Sequence, residues 1–321
     1  MNLRALFSNI FFRSAPKLAN NLPKKCLLIS GCDSGLGFNL SLFCSKALKI
    51  TVVSGCLSIN SDGAKLLKRE KNIIPIELDL LNPETVQNAF HTINGLVLNG
   101  YQLSAIVNNA GIMCFGEFEW QTPDIFESQI NVNLLGTMKL THKFLPLIRT
   151  QKGRIINITS HCGFHSLPSL SAYSASKSGL KSWNDALRME MSKYGVKVIN
   201  FVPGSFIMLS NITAKQCIYA SIMRDKFNDE QTIFYGRYFE QYNDYLRSLS
   251  KCKAPCEIAD NILYKKFQKA LLSENPKTIY IHEPWRYKIY YFLFKIFPVR
   301  IVDWLTQKFV SMPKYIPKVN N

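Results

Sequence analysis

The chain has 321 residues, 47% of them hydrophobic, so it can bury a large core as one α/β domain or as two small ones. Lys and Arg outnumber Asp and Glu by 39 to 22; the net charge of +17 suggests nucleic acid, an anionic membrane surface or an organelle address. The basic residues are scattered among apolar segments without zinc spacing or a compact basic run, so we expect no nucleic-acid partner.

The nine cysteines are odd in number and lack framework spacing, which disfavours disulfides and secretion. Cys26, Cys44 and Cys217 lie in segments predicted to be buried, as reduced core residues. Cys252 and Cys256 are four apart, but no second pair or histidine set lies near them. We therefore expect no metal site.

Residues 1–23 are typical of a mitochondrial targeting segment. No acidic residue occurs before residue 26, and apolar residues recur at helical spacing among basic ones. The longest apolar stretch is too short to span a bilayer. We expect a mitochondrial protein; an anchor in the endoplasmic reticulum membrane and a basic disordered tail are the alternatives.

From Lys25 onward, short apolar runs alternate with longer amphipathic ones, which is typical of a parallel sheet covered by helices on both faces. The predicted strands are Cys26–Ser30, Thr51–Ser54, Ile73–Leu78, Ala105–Val107, Arg154–Thr159, Val196–Phe201 and Thr278–Ile281. The segments between them are long enough for crossover helices. We therefore predict a single doubly wound α/β domain of Rossmann type over residues 24–282, with a C-terminal helical extension.

Residues 205–253 form a long insertion rich in Phe and Tyr after the sixth strand. A structureless loop of this length is unusual in a compact domain, so we expect a helical substrate lid, with a surface excursion as the alternative. Predicted outward-facing helices near residues 122–149 and 172–193 suggest a homo-oligomer.

Residues 283–321 form an aromatic and basic extension. One helical face is expected to carry Tyr287, Tyr290, Tyr291, Phe294 and Phe297. Such a stripe is usual in a core or a subunit interface, but its cationic neighbours also suit peripheral contact with an anionic membrane.

A glycine-rich segment follows the first predicted strand and opens the first helix, where backbone N–H groups can receive a pyrophosphate. Its candidate cofactor-binding residues are Ser30, Gly31, Asp33, Ser34, Gly35, Leu36 and Gly37. After the second strand, NAD-binding proteins usually present an acid and NADP-binding ones an arginine. Gly55 and Cys56 are neither, so these residues leave the choice of cofactor open.

Two more strand ends carry candidate cofactor contacts. Asp79 follows the third strand, where it either binds an adenine amino group or caps the helix before Pro83. Asn108, Ala110 and Gly111 end the fourth strand and suit a wall beside the ribose; Asn108 could also tie neighbouring strands together.

Tyr173 and Lys177 are four residues apart, so on a helix they share one face. A phenol with a pKa near 10 needs about 3–4 kcal/mol of stabilisation of its anion to act near neutral pH. One cation at about 4 Å supplies roughly 4 kcal/mol at an effective dielectric constant of about 20. We therefore predict that Lys177 lowers the pKa of Tyr173, which then serves as acid and base.

Ser160 ends the fifth strand, at the ligand crevice of an open parallel sheet, where it can hydrogen-bond a substrate oxygen. A nucleophilic role is disfavoured because the flanking glycines of a nucleophile elbow are missing. His161 and His165 are assigned structural or pocket-lining roles. Asn133 lies in an apolar helix, where its amide either holds a water near Lys177 or bends the helix.

Together these motifs resemble the short-chain dehydrogenase/reductase family over about residues 24–282. Ser30 stands where that family usually has threonine, which keeps the hydroxyl. The resemblance implies a catalytic tetrad of Asn133, Ser160, Tyr173 and Lys177, with Asn133 holding a proton-relay water. It also implies cofactor contacts from Tyr173, Lys177, Pro203 and Gly204, Lys177 binding the nicotinamide ribose.

Residues 30–37 and 53–57 are similar to the branch that holds retinol dehydrogenases, hydroxysteroid dehydrogenases and mitochondrial D-beta-hydroxybutyrate dehydrogenases. That branch is mostly NAD-linked, so the resemblance implies NAD, with NADP as the alternative. Hydroxybutyrate enzymes are similar in having a basic residue three positions before the tyrosine, where this chain has Leu170.

We therefore predict an oxidoreductase that interconverts a secondary alcohol and a ketone in a hydrophobic substrate, such as a steroid, a retinoid or another lipid-like molecule. A mitochondrial D-beta-hydroxybutyrate dehydrogenase is the second hypothesis. The third, from another class, is a non-catalytic binding protein on the same fold, against which the complete tetrad argues.

Overall fold

The computed structural model describes residues 23–205, 207–247, 250, 254–309, 312–313 and 315–316. Of the segment expected to carry a targeting signal, only Pro23 belongs to these residues. Cys252 also lies outside them.

Seven parallel strands form one sheet in the order β3-β2-β1-β4-β5-β6-β7, which is a doubly wound arrangement. The strands are β1 Lys24–Ser30, β2 Thr51–Cys56, β3 Ile73–Glu77, β4 Tyr101–Asn108, β5 Arg154–Ile158, β6 Lys197–Val202 and β7 Ile279–Ile281. The predicted fold class and all seven strands are confirmed. Strand β4 starts four residues before its predicted apolar run, because its first residues alternate polar and apolar side chains while pairing with β1.

The helices cover both faces of this sheet. They are α1 Gly35–Lys46, α2 Asp62–Leu67, α3 Pro83–Leu98, α4 Pro123–Ile130, α5 Thr137–Gln151, α6 Ser171–Ser192, α7 Gln216–Asp225, α8 Asp229–Arg247, α9 Asn261–Leu272, α10 Trp285–Ile296 and α11 Val299–Phe309. Within the described residues, no helix combines the length and the apolar character needed to cross a bilayer.

Successive residues of β1 supply two cores. Leu27 and Ile29 face a cluster completed by α1 and α9, whereas Cys26 and Leu28 face one completed by α3, α5 and α6. All four side chains are fully buried, which explains why the strand reads as a continuous apolar run. The sheet is therefore rigid, and its carboxyl edge is a firm base for a site.

The helix expected over residues 122–149 is interrupted. Residues Asn131–Gly136 form a π segment between α4 and α5. Here the amide of Asn133 bonds the backbone of Ile112, and a Cβ on Gly136 would lie 2.8 Å from Leu80 Cβ. Such π segments are common at functional sites, and this one turns Asn133 toward the sheet edge.

The insertion of residues 205–253 contains α7 and α8, which we call the lid helices. Trp120 is fastened to α8 by four aromatic rings with centroids 5.2 to 5.8 Å away: Tyr235, Tyr238, Phe239 and Tyr242. Cys217, predicted to be buried, is exposed because it lies on the outer face of α7.

Candidate active site

The glycine turn at the end of β1 is shaped by close backbone contacts. Gly31 has a φ of +71°, and a Cβ there would lie 2.7 Å from Ala110 Cα. A Cβ on Gly37 would lie 2.3 Å from the carbonyl oxygen of Gly31. Only glycine fits these positions, so the backbone at the N-terminus of α1 is accessible to a ligand. The turn has the form of a cradle that fits a dinucleotide pyrophosphate.

Ser30 and Asn109 support this turn from behind. The Ser30 hydroxyl accepts hydrogen bonds from the N–H groups of Asn109 and Ala110, both at 3.1 Å. The Asn109 amide donates to the carbonyl oxygens of Ser30 and Gly31, both at 2.9 Å. Ser30 and Ala110 therefore hold the cradle in shape. Sequence reasoning missed Asn109, although it stands beside Asn108 in the same motif.

Asp33 supplies the acid that the sequence lacks after β2. Its carboxylate accepts hydrogen bonds from the backbone N–H groups of Leu57, at 2.7 Å, and Ser58, at 3.2 Å. These residues directly follow Gly55 and Cys56, which carry no charge. A carboxylate therefore lies at the position where proteins of this fold bind the adenine ribose of the nucleotide.

The lid reaches the same turn. The Ser34 hydroxyl accepts a hydrogen bond from the backbone N–H of Asn211 at 3.3 Å. A Cβ on Gly35 would lie 2.5 Å from Ser210 Cβ. Leu36 points into the core and is 7% exposed, so it holds the helix in place rather than offering a side chain to a ligand.

Asp79 follows β3 at the carboxyl edge. Its carboxylate accepts from the N–H of Leu81 at 2.9 Å, closing a tight turn. The cap of α3 is Asn82, whose side chain accepts from Glu84 N–H at 2.9 Å. The alternative that Asp79 caps the helix is therefore wrong.

Asn108 belongs to a buried polar network. Its amide donates to Thr141 Oγ1 at 2.9 Å and to Asn157 Oδ1 at 2.7 Å, and Asn157 in turn donates to Asn184. The side chain is 3% exposed and ties β4 to β5 and α5. The structure shows the expected role of this side chain in tying neighbouring strands together, and its place beside the ribose stays a prediction.

Tyr173 and Lys177 lie one turn apart near the start of α6, and both are buried. Ser160 follows β5, and its hydroxyl hydrogen-bonds that of Tyr173. The Ser160 oxygen also accepts from the N–H of Cys162 at 3.2 Å, which fixes its rotamer. The structure thus brings serine, tyrosine and lysine together at the carboxyl edge of the sheet.

Burial governs the protonation of this group. The Lys177 ammonium donates to the Ile158 carbonyl at 3.1 Å and lies 5.8 Å from the centroid of the Tyr173 ring. Burial raises the pKa of Tyr173, Cys162 adds to the rise, and the Ser160 hydrogen bond opposes it. Burial also lowers the pKa of Lys177 to about 8. The predicted lowering of the Tyr173 pKa by Lys177 is not found, because burial removes the phenol from water and this desolvation disfavours its anion.

Asn133 lies next to this group. Its Oδ1 accepts from Ile112 N–H at 2.8 Å, and its Nδ2 donates to the Ile112 carbonyl at 2.9 Å and to Ser176 Oγ at 3.0 Å. A Cβ on Gly111 would lie 3.2 Å from Asn133 Oδ1 and 3.6 Å from Lys177 Nζ. Both amide hydrogens are used by protein groups, so the side chain positions the end of β4, and only the oxygen has capacity left for a water.

Tyr173 also borders an apolar wall between the sheet edge and the lid. The wall consists of buried side chains from both sides: Met113, Phe115, Cys162, Leu170, Met223, Phe239 and Tyr242. Leu170, in the position three before the tyrosine, is 4% exposed and packs in this cluster. The side chains that pack next to Tyr173 are therefore apolar and aromatic.

Residues 160–165, here called the catalytic loop, are covered by α10. The ring of His165 stacks on that of Tyr291 with centroids 5.0 Å apart. The ring of His161 lies 6.0 Å from that of Tyr287. The predicted structural or pocket-lining role of both histidines agrees with these contacts.

Pro203 and Gly204 follow β6 on the other side of the crevice. Gly204 has a φ of +87°, and a Cβ there would lie 2.6 Å from the His282 carbonyl oxygen and 3.9 Å from Glu283 Cγ. Glu283 is a buried carboxylate that sequence reasoning left unassigned; its signal in the sequence was an acid two residues after the last strand.

Among the described residues, no group of His, Cys, Asp or Glu is arranged to hold a metal ion. The polar groups at the crevice are a phenol, a lysine, a serine and an asparagine above a glycine cradle. This donor set suits proton transfer to and from a substrate oxygen beside a nicotinamide nucleotide, which supplies or accepts the hydride when bound.

Comparison with known proteins agrees with this geometry. Residues 25–216 match the family model of the short chain dehydrogenases. The chain is 35% identical to the mitochondrial D-beta-hydroxybutyrate dehydrogenase of Mus musculus over 258 residues, covering 78% of this chain and 74% of that one. It is 31% identical to retinol dehydrogenase 16 of Mus musculus over 297 residues, covering 91% and 90%.

A solved short-chain dehydrogenase from Streptomyces avermitilis is 28% identical, with a TM-score of 0.50 over 57% of this chain and 67% of that one. Three features of the structure agree with these matches: the strand order, the glycine cradle, and the serine, tyrosine and lysine at one edge of the sheet. The chain belongs to the short chain dehydrogenase family and is an NAD(P)-dependent oxidoreductase that acts on CH–OH groups.

Proposed function

We propose that the protein is NAD-linked and interconverts a secondary alcohol and a ketone in a neutral hydrophobic substrate such as a steroid, a retinoid or another lipid. The observation that carries this proposal is the apolar wall beside Tyr173, which the lid closes and to which Leu170 contributes. An apolar cavity wall with few polar groups selects substrates that lose water without leaving a charge unpaired.

The chain's own residues have distinct tasks in this reaction. Ser160 orients the substrate oxygen, and the Tyr173 hydroxyl gives or takes its proton. Lys177 holds a positive charge against the phenol ring and binds the ribose of the nucleotide. Asn133 binds the backbone of Ile112 and so holds the segment after β4, which includes Gly111, close to Lys177. The cradle at Gly31 receives the pyrophosphate.

A small hydroxy acid is the competing substrate, and it would need a cation near the tyrosine. Four basic residues could have supplied one. Arg224 pairs with Glu240 in the lid, and Lys215 is exposed at the start of α7. His165 is stacked on an aromatic ring, and burial lowers its pKa.

The fourth basic residue, His161, has Nδ1 3.6 Å from a carboxylate oxygen of Glu283. Burial also lowers its pKa, so at neutral pH it carries little charge. These contacts support the hydrophobic substrate over D-beta-hydroxybutyrate, although the hydroxybutyrate enzyme of mouse is a relative.

The preference for NAD is supported by Asp33. An NADP molecule carries a phosphate on the adenine ribose, and a carboxylate held at the end of β2 repels it. No basic residue stands at Gly55 or Cys56 to offset that repulsion.

We also propose peripheral membrane contact and a mitochondrial location. The stripe singled out from the sequence does not carry the contact, because Tyr287, Tyr291 and Phe294 face the catalytic loop. The opposite face of α10 is exposed and apolar: Trp285, Ile289, Phe292 and Ile296. Trp304 of α11 is also exposed, at 58%, and Lys295, Arg300 and Lys308 lie along the same two helices. Aromatic and basic side chains in this arrangement suit an anionic headgroup boundary.

A homo-oligomer is proposed from α6. Its outer face carries exposed small residues at helical spacing: Ser171, Ala175, Ser178, Ser182 and Ala186. Small side chains let a second helix approach closely, so a copy of the same face is the occupant we expect. Sedimentation equilibrium on the full chain, with Ala186→Glu as the disrupting variant, tests it.

The function is tested by following the near-ultraviolet absorbance of the reduced cofactor with a hydroxysteroid, a retinol and 3-hydroxybutyrate, each with NAD and NADP. We expect turnover of a hydrophobic alcohol with NAD. Efficient oxidation of 3-hydroxybutyrate alone would overturn the substrate proposal, and no turnover with any alcohol under conditions where cofactor binds would favour a binding protein.

A further inference from the structure

A buried carboxylate, that of Glu283, lies beside the catalytic loop and has no task in the reaction described above. It lies two residues after the end of β7, at the carboxyl edge of the sheet, and its side chain is 3% exposed. The Tyr291 hydroxyl donates to Oε2 at 2.5 Å, and His161 Nδ1 lies 3.6 Å from Oε1. Burial raises the pKa of Glu283, and the hydrogen bond from Tyr291 opposes that rise.

Cys162 connects this carboxylate with the reacting groups. Its backbone N–H donates to the Ser160 hydroxyl at 3.2 Å, and His161, the residue between Ser160 and Cys162, has Nδ1 3.6 Å from Glu283 Oε1. Cys162 and Tyr173 also pack in the same buried apolar cluster. A charge that acts on Cys162 therefore also acts on a substrate held by Ser160 and Tyr173, because the surroundings are buried and screen little.

From this placement we infer that Glu283 is a specificity-determining residue that disfavours substrates with a carboxylate near the reacting carbon. In a 3-hydroxy acid only one methylene separates the carboxylate from the carbinol carbon. Wherever the rest of the molecule lies, the carboxylate must come close to Ser160 and Tyr173. There it meets the buried charge of Glu283 and the apolar side chain of Leu170.

The other groups around Glu283 do not reverse this effect. Burial raises the pKa of Tyr291, which keeps its phenol neutral, and burial lowers the pKa of His161, which leaves little charge on its ring at neutral pH. The positive charge of Lys177 would attract a substrate carboxylate, but its ammonium group already donates a hydrogen bond to the Ile158 carbonyl oxygen. The inference rests on the proposed function, because it requires that Ser160 and Tyr173 hold the substrate oxygen.

The test compares two ligands that differ only in charge, 3-hydroxydecanoic acid and its primary amide, on the cofactor-loaded enzyme. The ratio of their kcat/KM values, and of their dissociation constants from tryptophan fluorescence, is measured at one pH. We expect the wild type to favour the amide at least about tenfold, and Glu283→Gln to reduce that ratio at least about threefold, as loss of one like charge in a poorly screened site should do. Glu190→Gln, an exposed acid on α6, should leave the ratio unchanged.

A second variant keeps the inference testable if Glu283→Gln fails to fold. His161→Lys places a cation next to Oε1 of Glu283 and should, like Glu283→Gln, reduce the preference for the amide over the acid. An unchanged ratio in a folded Glu283→Gln protein, or in His161→Lys, would overturn the assignment. If the wild type handles acid and amide equally, the role of Glu283 fails alone. If the wild type accepts the acid but not the amide, the hydrophobic-substrate proposal fails as well.

Discussion

The carboxylate of Asp33 accepts a hydrogen bond from the backbone N–H of Leu57 at 2.7 Å, so an acid from the first turn acts at the end of the second strand. Asp33→Asn keeps the size of this side chain and removes its charge. We expect the preference for NAD over NADP, measured as the ratio of dissociation constants, to fall about tenfold. Asp62→Asn, an exposed acid at the start of α2, is the matched control. A preference that is the same in both variants would remove Asp33 from cofactor selection.

Tyr173→Phe keeps the ring in its apolar cluster and removes the hydroxyl that faces Ser160. Turnover should fall at least about a hundredfold, because general acid and base catalysis is lost while packing is kept. Cofactor binding, followed by fluorescence, should change little. Tyr245→Phe, at an exposed ring of the lid, serves as control. Comparable turnover in Tyr173→Phe would exclude this hydroxyl from the mechanism.

The buried ammonium of Lys177 should make the stability of the fold depend on pH. Its pKa is lowered to about 8 in the folded chain, so between about pH 8 and 10 the unfolded chain binds more protons than the folded one. The free energy of unfolding therefore rises with pH over this interval. Below it, the buried charge costs about 3 kcal/mol. Lys177→Met should be inactive yet more stable than the wild type at pH 7, and the gap should narrow by pH 9.5.

Urea unfolding of both proteins at the two pH values checks this. A gap that is constant with pH would show that the ammonium titrates normally in the folded chain.

Trp120 should fasten the lid to the rest of the domain. It is 2% exposed and touches four rings of α8, so Trp120→Ala should cost about 3–5 kcal/mol of stability or release the lid. Tyr235→Phe removes a hydroxyl that donates to Glu119 at 2.7 Å in an exposed position, and should cost less than about 1 kcal/mol. Hydrogen exchange across α7 and α8 separates lid release from global unfolding. Equal protection in the wild type and Trp120→Ala would contradict this role.

The two faces of α10 should have separable effects. Phe292→Ser, on the outer face, should reduce binding to vesicles that contain anionic lipid and leave turnover unchanged. Tyr291→Ala, on the inner face, should reduce turnover instead, because its ring packs on His165 and its hydroxyl bonds Glu283. Sedimentation with vesicles and steady-state kinetics on both variants decide the matter. Loss of both properties in Phe292→Ser would assign the outer face to packing within the protein.

Much of the fold follows from short apolar runs, because a sheet buried on both faces needs strands with a continuous apolar stretch, such as residues 26–29 of β1. The tyrosine and lysine are local in sequence, since one helical turn brings them together. The break at Asn131–Gly136 is not visible in the periodicity, because it depends on hydrogen bonds from Asn133 to a strand end twenty-one residues earlier.

Long-range contacts also explain what was missed at the site. The hydrogen bond from Leu57 to Asp33 joins two loops, so the end of β2 looked uncharged from its own residues. The orientation of α10 was hidden for another reason: the helix is apolar on two sides, and a periodic pattern cannot say which side is inner. Burial of the phenol and the ammonium had no local signal, and it reversed the predicted direction of the Tyr173 pKa.

The C-terminal extension touches both walls of the crevice: α10 lies on the catalytic loop, while Met312 and Tyr315 pack on the lid side, Tyr315 stacking on Phe234 with centroids 5.5 Å apart. Both contacts come from residues that follow the last strand of the sheet. Because synthesis runs from the N-terminus, the cofactor cradle can form before the residues that complete the substrate side have been made. A premature stop after β7 would leave a nucleotide-binding domain with an open crevice. Such a truncated protein should still bind the cofactor but not enclose the alcohol substrate.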